Sequence, residues 1–334
     1  MITVPVPAAR CPEAIYSTYV GYMCSLGTVT ISDVRIDTDG CLLAGTYVEA
    51  ADPVAAALLI PGSGRTDRNS DVRLPAGQKL RGAITAALAD ALGGARVCTL
   101  RFDKRGVGAS GGDYLSTGMD RRYADVRSLC NWLAAKAAGL PQLAIGHSEG
   151  TYYAARLAAD GKAAGVVLLS GAARPGAGVI SYQVAELADR VPASAKIILR
   201  LLRTDVTRAQ RKNLNKILAS SADVMRVQGA RVNARWTRDL VAYDPAAVLA
   251  RVSVPVLAVT GEHDLQVPPG DVEAVGRLVH GPFEGHVVPG LSHLLRPDPD
   301  SVGPRGYRRQ ARLPVSSEVL GLVTDWVTRH WGTP

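Results

Sequence analysis

The pentapeptide Gly146-His147-Ser148-Glu149-Gly150 is where this chain could do chemistry. The apolar run Leu143-Ala144-Ile145 precedes it, and residues 152–159 have the composition of a helix. A serine between a strand and a helix is forced to the tip of a sharp turn, strained and exposed. Gly146 and Gly150 suit that turn, because a Cβ at either position would collide with the neighbouring strand or helix. The helix would aim its positive end at the hydroxyl and favour an anion forming there. In a chain with 34 glycines a bare G-x-S-x-G arises easily by chance. The strand and helix signals around this one are what mark Ser148 as a nucleophile.

A serine nucleophile needs a base, and the base needs an orienting group. Of the six histidines, His293 follows the last strand-like run, in Pro289-Gly290-Leu291-Ser292-His293. The carboxyl end of that run falls on the same sheet edge as Ser148. His286 begins the run, at the opposite edge, and His147 is locked inside the turn. His280 and His330 lie on or just past helices. The acid should also follow a strand, which selects Asp264, after Pro255–Thr260; Glu262 and Asp271 are fallbacks. The developing oxyanion needs donors. The backbone N–H of Glu149 is one. Ser63, in Pro61-Gly62-Ser63-Gly64, is the expected second, with Gly62 or Gly64 serving if the register differs. Gly62, Arg68 and Trp236 are candidate substrate contacts. Arg68, beside Asp67, equally suits loop anchoring, and Trp236, like Tyr243, equally suits apolar packing.

Other patterns point to no further chemistry. Gly106-Val107-Gly108-Ala109-Ser110-Gly111 matches G-x-G-x-x-G after a strand, but a loop-like stretch, Gly112–Gly118, follows where a dinucleotide site needs a helix. Asp103 and Arg105 there are expected to bond the loop's own backbone. The five cysteines lack metal-ligand spacing, so no metal and no cofactor is expected. Cys98 and Cys130 sit in apolar patterns and read as core residues.

The elements that must position these residues are legible as short apolar runs separated by helical patterns. The runs are Ala56–Ile60, Arg96–Phe102, Gln142–Ile145, Gly165–Ser170, Pro255–Thr260 and His286–Val288. Helices are expected near Gly77–Leu92, Met119–Ala138, Gly150–Ala159, Val272–Leu278 and Ser316–His330, with a short one near Pro12–Met23. This alternation predicts an α/β fold, a mostly parallel central sheet with helices on both faces. Alternating residues on either side of Asp39-Gly40 predict an antiparallel hairpin at one edge. Residues 174–250 break the alternation and read as four helices: Val179–Arg190, Ser194–Thr204, Arg208–Ser220 and Ala222–Trp236. The expected organisation is a first core part over 1–173, an inserted helical cap over 174–250 and a second core part over 251–334. Pro297–Arg308 reads as a surface loop.

The formal charge of +8 is concentrated. Fourteen Lys/Arg against six Asp/Glu lie between Arg174 and Arg251, so that segment carries the whole excess. It has few aromatics and no nucleic-acid motif, so nucleic acid is not expected as a partner. A solvated helical face is one account of it; a surface attracting anionic or carrier-linked substrates is another. No apolar run approaches the ~20 residues that cross a bilayer, so no membrane partner is expected. The first ten residues lack the features of a signal peptide, and the odd cysteine count suits reduced thiols, which together predict a cytoplasmic protein.

These residues carry a resemblance. Leu59–Arg68, Arg101–Ser110, the pentapeptide, the Asp264 loop and the His293 loop resemble the serine-hydrolase branch of the α/β-hydrolase superfamily over roughly residues 28–330. The chain is most similar to bacterial esterases and acyl hydrolases of the serine aminopeptidase-like group, which carry a G-S-G-x-T-D-R loop. The order Ser148, Asp264, His293 is the order of that superfamily's triad. The resemblance implies an α/β-hydrolase fold, a Ser–His–Asp triad, no metal and a cap that shapes the pocket. Two positions depart from the pattern: Asn69-Ser70-Asp71 stands where an Asp-Gly pair is common, and Ser292 stands where Asn often precedes the histidine. The expected function is hydrolysis of a carboxylic ester or thioester of a small-molecule acyl substrate through an acyl-enzyme on Ser148. An acyltransferase or lactone-forming cyclase using the same triad is the alternative, and a non-catalytic ligand-binding homologue a lesser one.

Overall fold

The computed structural model describes residues 2–3, 29–73, 79–190, 205–300 and 306–332. The expected helices at Pro12–Met23 and Ser194–Thr204 lie outside them, as do Cys11 and Cys24. Among the described residues nine strands form one sheet. In chain order the first four are β1 (Ile2–Thr3), β2 (Thr30–Asp37), β3 (Leu42–Glu49) and β4 (Ala55–Ile60). A two-residue pair, β5 (Val72–Arg73) and β6 (Lys79–Leu80), forms a separate small ladder. The sheet continues with β7 (Val97–Phe102), β8 (Gln142–His147) and β9 (Gly165–Leu169). After a hairpin of β10 (Val224–Val227) and β11 (Ala230–Asn233), it closes with β12 (Val256–His263) and β13 (Phe283–Ser292).

The spatial order is β1-β2-β3-β7-β4-β8-β9-β12-β13. From β7 to β13 every neighbouring pair is parallel. The β2–β3 hairpin extends one edge antiparallel, turning where expected, with Asp39 at φ 53° and Gly40 at φ 76°. The central strands are buried on both sides because helices cover both faces. Along β4, Ala55, Ala57 and Leu59 join one core, and Ala56, Leu58 and Ile60 the other. Helices α1 (Ile84–Gly94) and α10 (Ser317–Trp331) contribute to the first; α2 (Met119–Lys136) and α3 (Glu149–Ala159) to the second. The helices between are α4 (Gly176–Asp189), α5 (Val206–Leu218), α6 (Ala234–Ala242), α7 (Pro245–Leu249), α8 (Asp271–Leu278) and α9 (Tyr307–Gln310). Cys98 and Cys130 are buried, as expected. Among the described residues no helix is long and apolar enough to cross a membrane.

Two elements differ from expectation. The helix expected from Gly77 begins only at Ile84. Lys79–Leu80 pairs with Val72–Arg73, and Gly82 lies so close to Ser70 that a Cβ would be 1.7 Å from its carbonyl oxygen. Ala83 then takes a left-handed φ of 50°, which stops a helix from running through it. The helix expected over Ala222–Trp236 is instead the β10–β11 hairpin followed by α6. Gln228 at φ 49° and Gly229 at φ 81° make a tight hairpin turn, and the alternating Val224-Met225-Arg226-Val227 suits a strand. Asn233 then caps α6 by accepting the Trp236 N–H at 2.8 Å.

Candidate active site

Strand β8 ends at His147, and α3 begins at Glu149, leaving Ser148 alone at the turn. Its backbone sits at φ 52°, ψ −120°, a conformation held by tertiary contacts. The Ser148 N–H donates to the Leu169 carbonyl at 2.9 Å, and Thr151 Oγ1 donates to the Ser148 carbonyl at 2.6 Å. Both flanking glycines are required by contact. A Cβ on Gly146 would lie 2.3 Å from Gly150 O, and one on Gly150 would lie 2.2 Å from Ile60 O. The turn therefore presses α3 against β8 and β4 with no side chain between them.

His293 is the residue after β13, and Asp264 the residue after β12. The parallel strands deliver both to the edge that carries Ser148. His293 Nε2 lies 3.0 Å from Ser148 Oγ. His293 Nδ1 lies 2.9 and 2.8 Å from the two Asp264 carboxylate oxygens. A carboxylate can only accept, so Nδ1 carries the proton, and the bare Nε2 accepts from the serine hydroxyl. Asp264 is buried and also accepts N–H groups from Gln266 at 2.8 Å and Val267 at 2.9 Å, and the Thr260 hydroxyl at 3.2 Å. Burial disfavours its charge, but His293 and these donors outweigh burial and hold the carboxyl below its usual range. The fallback acids serve elsewhere: Asp271 pairs with Arg174 at 2.6 Å, and Glu262 accepts the Gly290 N–H at 3.0 Å.

Sequence reasoning set His147 aside, yet its ring is part of the site. His147 Nε2 donates to the His293 carbonyl at 3.0 Å, and the two rings sit 5.1 Å apart. Burial, with the neighbouring His293, pushes the His147 imidazole down to about 3, so it is neutral at ordinary pH. Ser292, where Asn often stands, donates to Gln310 Oε1 at 2.7 Å and ties the His293 loop to α9.

The Pro61–Gly64 loop lies against the serine. A Cβ on Gly62 would come within 3.2 Å of Ser148 Cβ and 3.0 Å of His147 Nδ1. The Glu149 N–H is at the first position of α3, where helix donors lack an intrahelical acceptor. The Glu149 side chain turns away into a buried ion cluster. Its carboxylate meets Arg122 at 2.8 and 3.1 Å, Tyr153 OH at 2.6 Å and Trp236 Nε1 at 2.7 Å. Burial opposes the charge, but Arg122 and Lys104 override it and hold the Glu149 carboxyl down to about 2. Lys104 Nζ is 3.7 Å from Glu149 Oε2 and donates to the Gly62 carbonyl. This cluster was not foreseen, because its members are scattered between residues 104 and 236.

Of the candidate substrate contacts, Gly62 and Trp236 lie beside Ser148 and its neighbour Glu149. Arg68 does not point there. Its guanidinium holds Asp33 at 3.0 Å, Gly45 O at 2.9 Å and Asp103 at 2.9 Å, so it anchors the loop to the β2–β3 hairpin. Asp103 accepts the backbone N–H of Ala109 in its own loop, as expected, and also that of Arg68. Arg105, expected to bond the same loop, instead pairs with Asp125 on α2 and donates to the Thr38 carbonyl at 3.1 Å. Tyr243 packs on Tyr152 with ring centroids 4.9 Å apart. A cavity of about 430 Å³ lies among α4, α5 and the β10–β11 hairpin, and its described lining includes none of Ser148, Asp264 or His293.

Comparison with known proteins agrees with this arrangement of strands. The family described as serine aminopeptidase, S33 (Hydrolase_4) matches residues 81–300. No curated protein matches the chain. Among solved structures, the ferulic acid complex of Est1E from Butyrivibrio proteoclasticus is similar with a TM-score of 0.57 at 18% identity, over 89% of this chain and 97% of that one. The esterase domain of a Rhodothermus marinus protein gives 0.54 at 18% identity, over 90% and 98%. The proline iminopeptidase of Mycobacterium smegmatis gives 0.58 at 14% identity, over 90% and 98%. At these identities the likeness is one of fold.

Proposed function

The chain belongs to the serine aminopeptidase, S33 family of α/β hydrolases, and from that premise we propose that it is a serine hydrolase that cleaves a carboxylic ester or thioester through an acyl-enzyme on Ser148. The observation that carries the proposal is the unbroken hydrogen-bond chain Asp264–His293–Ser148, with distances of 2.8 and 3.0 Å. In the proposed reaction His293 Nε2 takes the serine proton as Oγ attacks the carbonyl carbon. The imidazolium is stabilised by Asp264, which also fixes the tautomer. The oxyanion is held by the N–H groups of Glu149 and Ser63. His293 returns its proton to the leaving group. A water, deprotonated by His293, then attacks the ester on Ser148 and releases the acid.

The substrate class follows from charge. The carboxylate of Glu149, the residue after the nucleophile, is already shared among Arg122, Tyr153 and Trp236. A free amino terminus would need a carboxylate of its own, so the reading favours neutral or anionic acyl groups over aminopeptidase substrates. Residues 174–250, read as the cap over this edge, would choose among them.

The test is turnover of p-nitrophenyl esters of graded chain length, with thioester and amide counterparts. Ser148→Ala should lose roughly 10³-fold or more while keeping its fold. Asp264→Asn should lose on the order of 10³–10⁴-fold, because the amide admits the wrong imidazole tautomer. Undiminished turnover by the Ser148→Ala variant would refute the proposal.

A further inference from the structure

We propose that Lys104 is a positioning residue that fixes the plane of the Gly62–Ser63 peptide and thereby the direction of the Ser63 N–H. The inference rests on the acyl-hydrolase reading above, in which that N–H receives the oxyanion. The Gly62 carbonyl and the Ser63 N–H belong to one peptide unit. The unit is trans, so the two groups point in opposite directions. Whatever holds the carbonyl therefore aims the N–H.

The backbone of Gly62 and the residues after it does not hold the plane by itself. Gly62 carries no Cβ, Gly64 follows at φ +81°, and Ser63–Arg65 are exposed. Rotation of this plane meets little local steric resistance. Two side-chain donors reach the Gly62 carbonyl. Thr66 Oγ1 donates at 3.0 Å from within the loop, and Lys104 Nζ donates from the sheet. Lys104 lies two residues past β7, so its stem is rigidly placed, and its side chain is only 8% exposed.

Charge balance alone does not explain a lysine here. Arg122 already neutralises Glu149 with contacts of 2.8 and 3.1 Å. Lys104 adds a second basic group to this buried site, where burial pushes it down to about 7 against the pull of Glu149; charged or neutral, its N–H groups need a specific acceptor. Its ammonium stands 3.7 Å from the Glu149 carboxylate, 5.9 Å from the Tyr114 ring centroid, and within hydrogen-bond reach of Gly62 O. The Glu149 side chain partly offsets the effect of burial on Lys104, while the Glu149 backbone N–H is the other proposed oxyanion donor. One ion cluster thus ties together the two segments that flank Ser148.

The test compares wild type with Lys104→Met and Thr66→Val on p-nitrophenyl butyrate. It also measures affinity for butylboronic acid, whose boron takes Ser148 Oγ to give a tetrahedral adduct. Lys104→Met keeps the Arg122–Glu149 pair, so the fold should survive, and a melting curve checks it. The inference predicts a kcat lower by roughly 10–100-fold with KM nearly unchanged, because only transition-state binding is lost. Boronate affinity should fall in parallel, and Thr66→Val should lose less in the same direction. A folded Lys104→Met protein with wild-type kcat, or a loss confined to KM with boronate affinity intact, overturns it. If Lys104→Met does not fold, unchanged kcat and boronate affinity in Thr66→Val overturn it. A wild type inert to both the ester and a fluorophosphonate would instead overturn the hydrolase reading itself, and the inference with it.

Discussion

His147 and Ser148 are adjacent in the chain and opposite in character. Ser148 reaches the His293 ring, while His147 turns back to hold the His293 backbone carbonyl at 3.0 Å. That contact needs only an N–H on Nε2, which the charged ring would also supply; burial and the neighbouring His293 are what keep the ring neutral, pushing it down to about 3. In the unfolded chain the same ring titrates near its ordinary 6.5. Between those values unfolding takes up a proton, so this contribution to stability is full above about 6.5 and is lost as pH falls toward 3. Urea unfolding over this pH range should show stability declining with acid, and His147→Gln, which cannot titrate, should flatten part of that decline. An identical slope in the variant would contradict this account of His147. The residues nominated from sequence as nucleophile, base and acid were legible because each directly follows a strand, and strands are legible as apolar runs. Lys104, the Glu149 cluster and the His147 contact were not. Apart from Tyr153, four residues on from Glu149, their partners lie 27 to 146 residues away, and no local pattern encodes such a meeting. Arg68 illustrates the same limit, since its position beside the loop allowed substrate contact or anchoring, and only the fold turns it to Asp33 and Asp103.

The elements meet at the elbow with almost no tolerance. Gly150 is where α3 crosses β4, and a methyl group there would overlap the Ile60 carbonyl oxygen at 2.2 Å. Gly150→Ala should therefore destabilise the protein by about 1–3 kcal/mol through overpacking. It should also lower turnover more than ligand-free stability suggests, because the displaced helix carries the Glu149 N–H. Chemical denaturation and steady-state kinetics on the same preparation check this; wild-type values in both would contradict the packing argument. The six parallel strands and the Asp39-Gly40 hairpin were readable because burial on both faces and turn chemistry are written locally. The β10–β11 hairpin was misread as a helix because Val224–Asn233 is short, half-exposed and mixed in composition. The start of α1 was misplaced because what stops it, the approach of Gly82 to Ser70, is a tertiary contact.

For the whole molecule, the excess charge of +8 resides entirely between Arg174 and Arg251. Under the proposal that this segment caps the sheet edge that carries Ser148, it should raise the local concentration of anionic substrates. The KM of an anionic ester such as a succinyl monoester should rise with added NaCl, because the Debye length shrinks from about 30 Å at 0.01 M to about 3 Å at 1 M. A neutral ester of the same length should show little change; equal salt responses would remove the charged segment from the account of specificity. The central claim, however, concerns one atom, and intact-protein mass spectrometry tests it most directly. Wild type treated with a fluorophosphonate should gain the mass of a single phosphonyl group, mapped to the peptide containing Ser148. Ser148→Ala should gain none, and His293→Ala should label far more slowly. A wild-type protein that stays unlabelled, or a label that persists in Ser148→Ala, would contradict it.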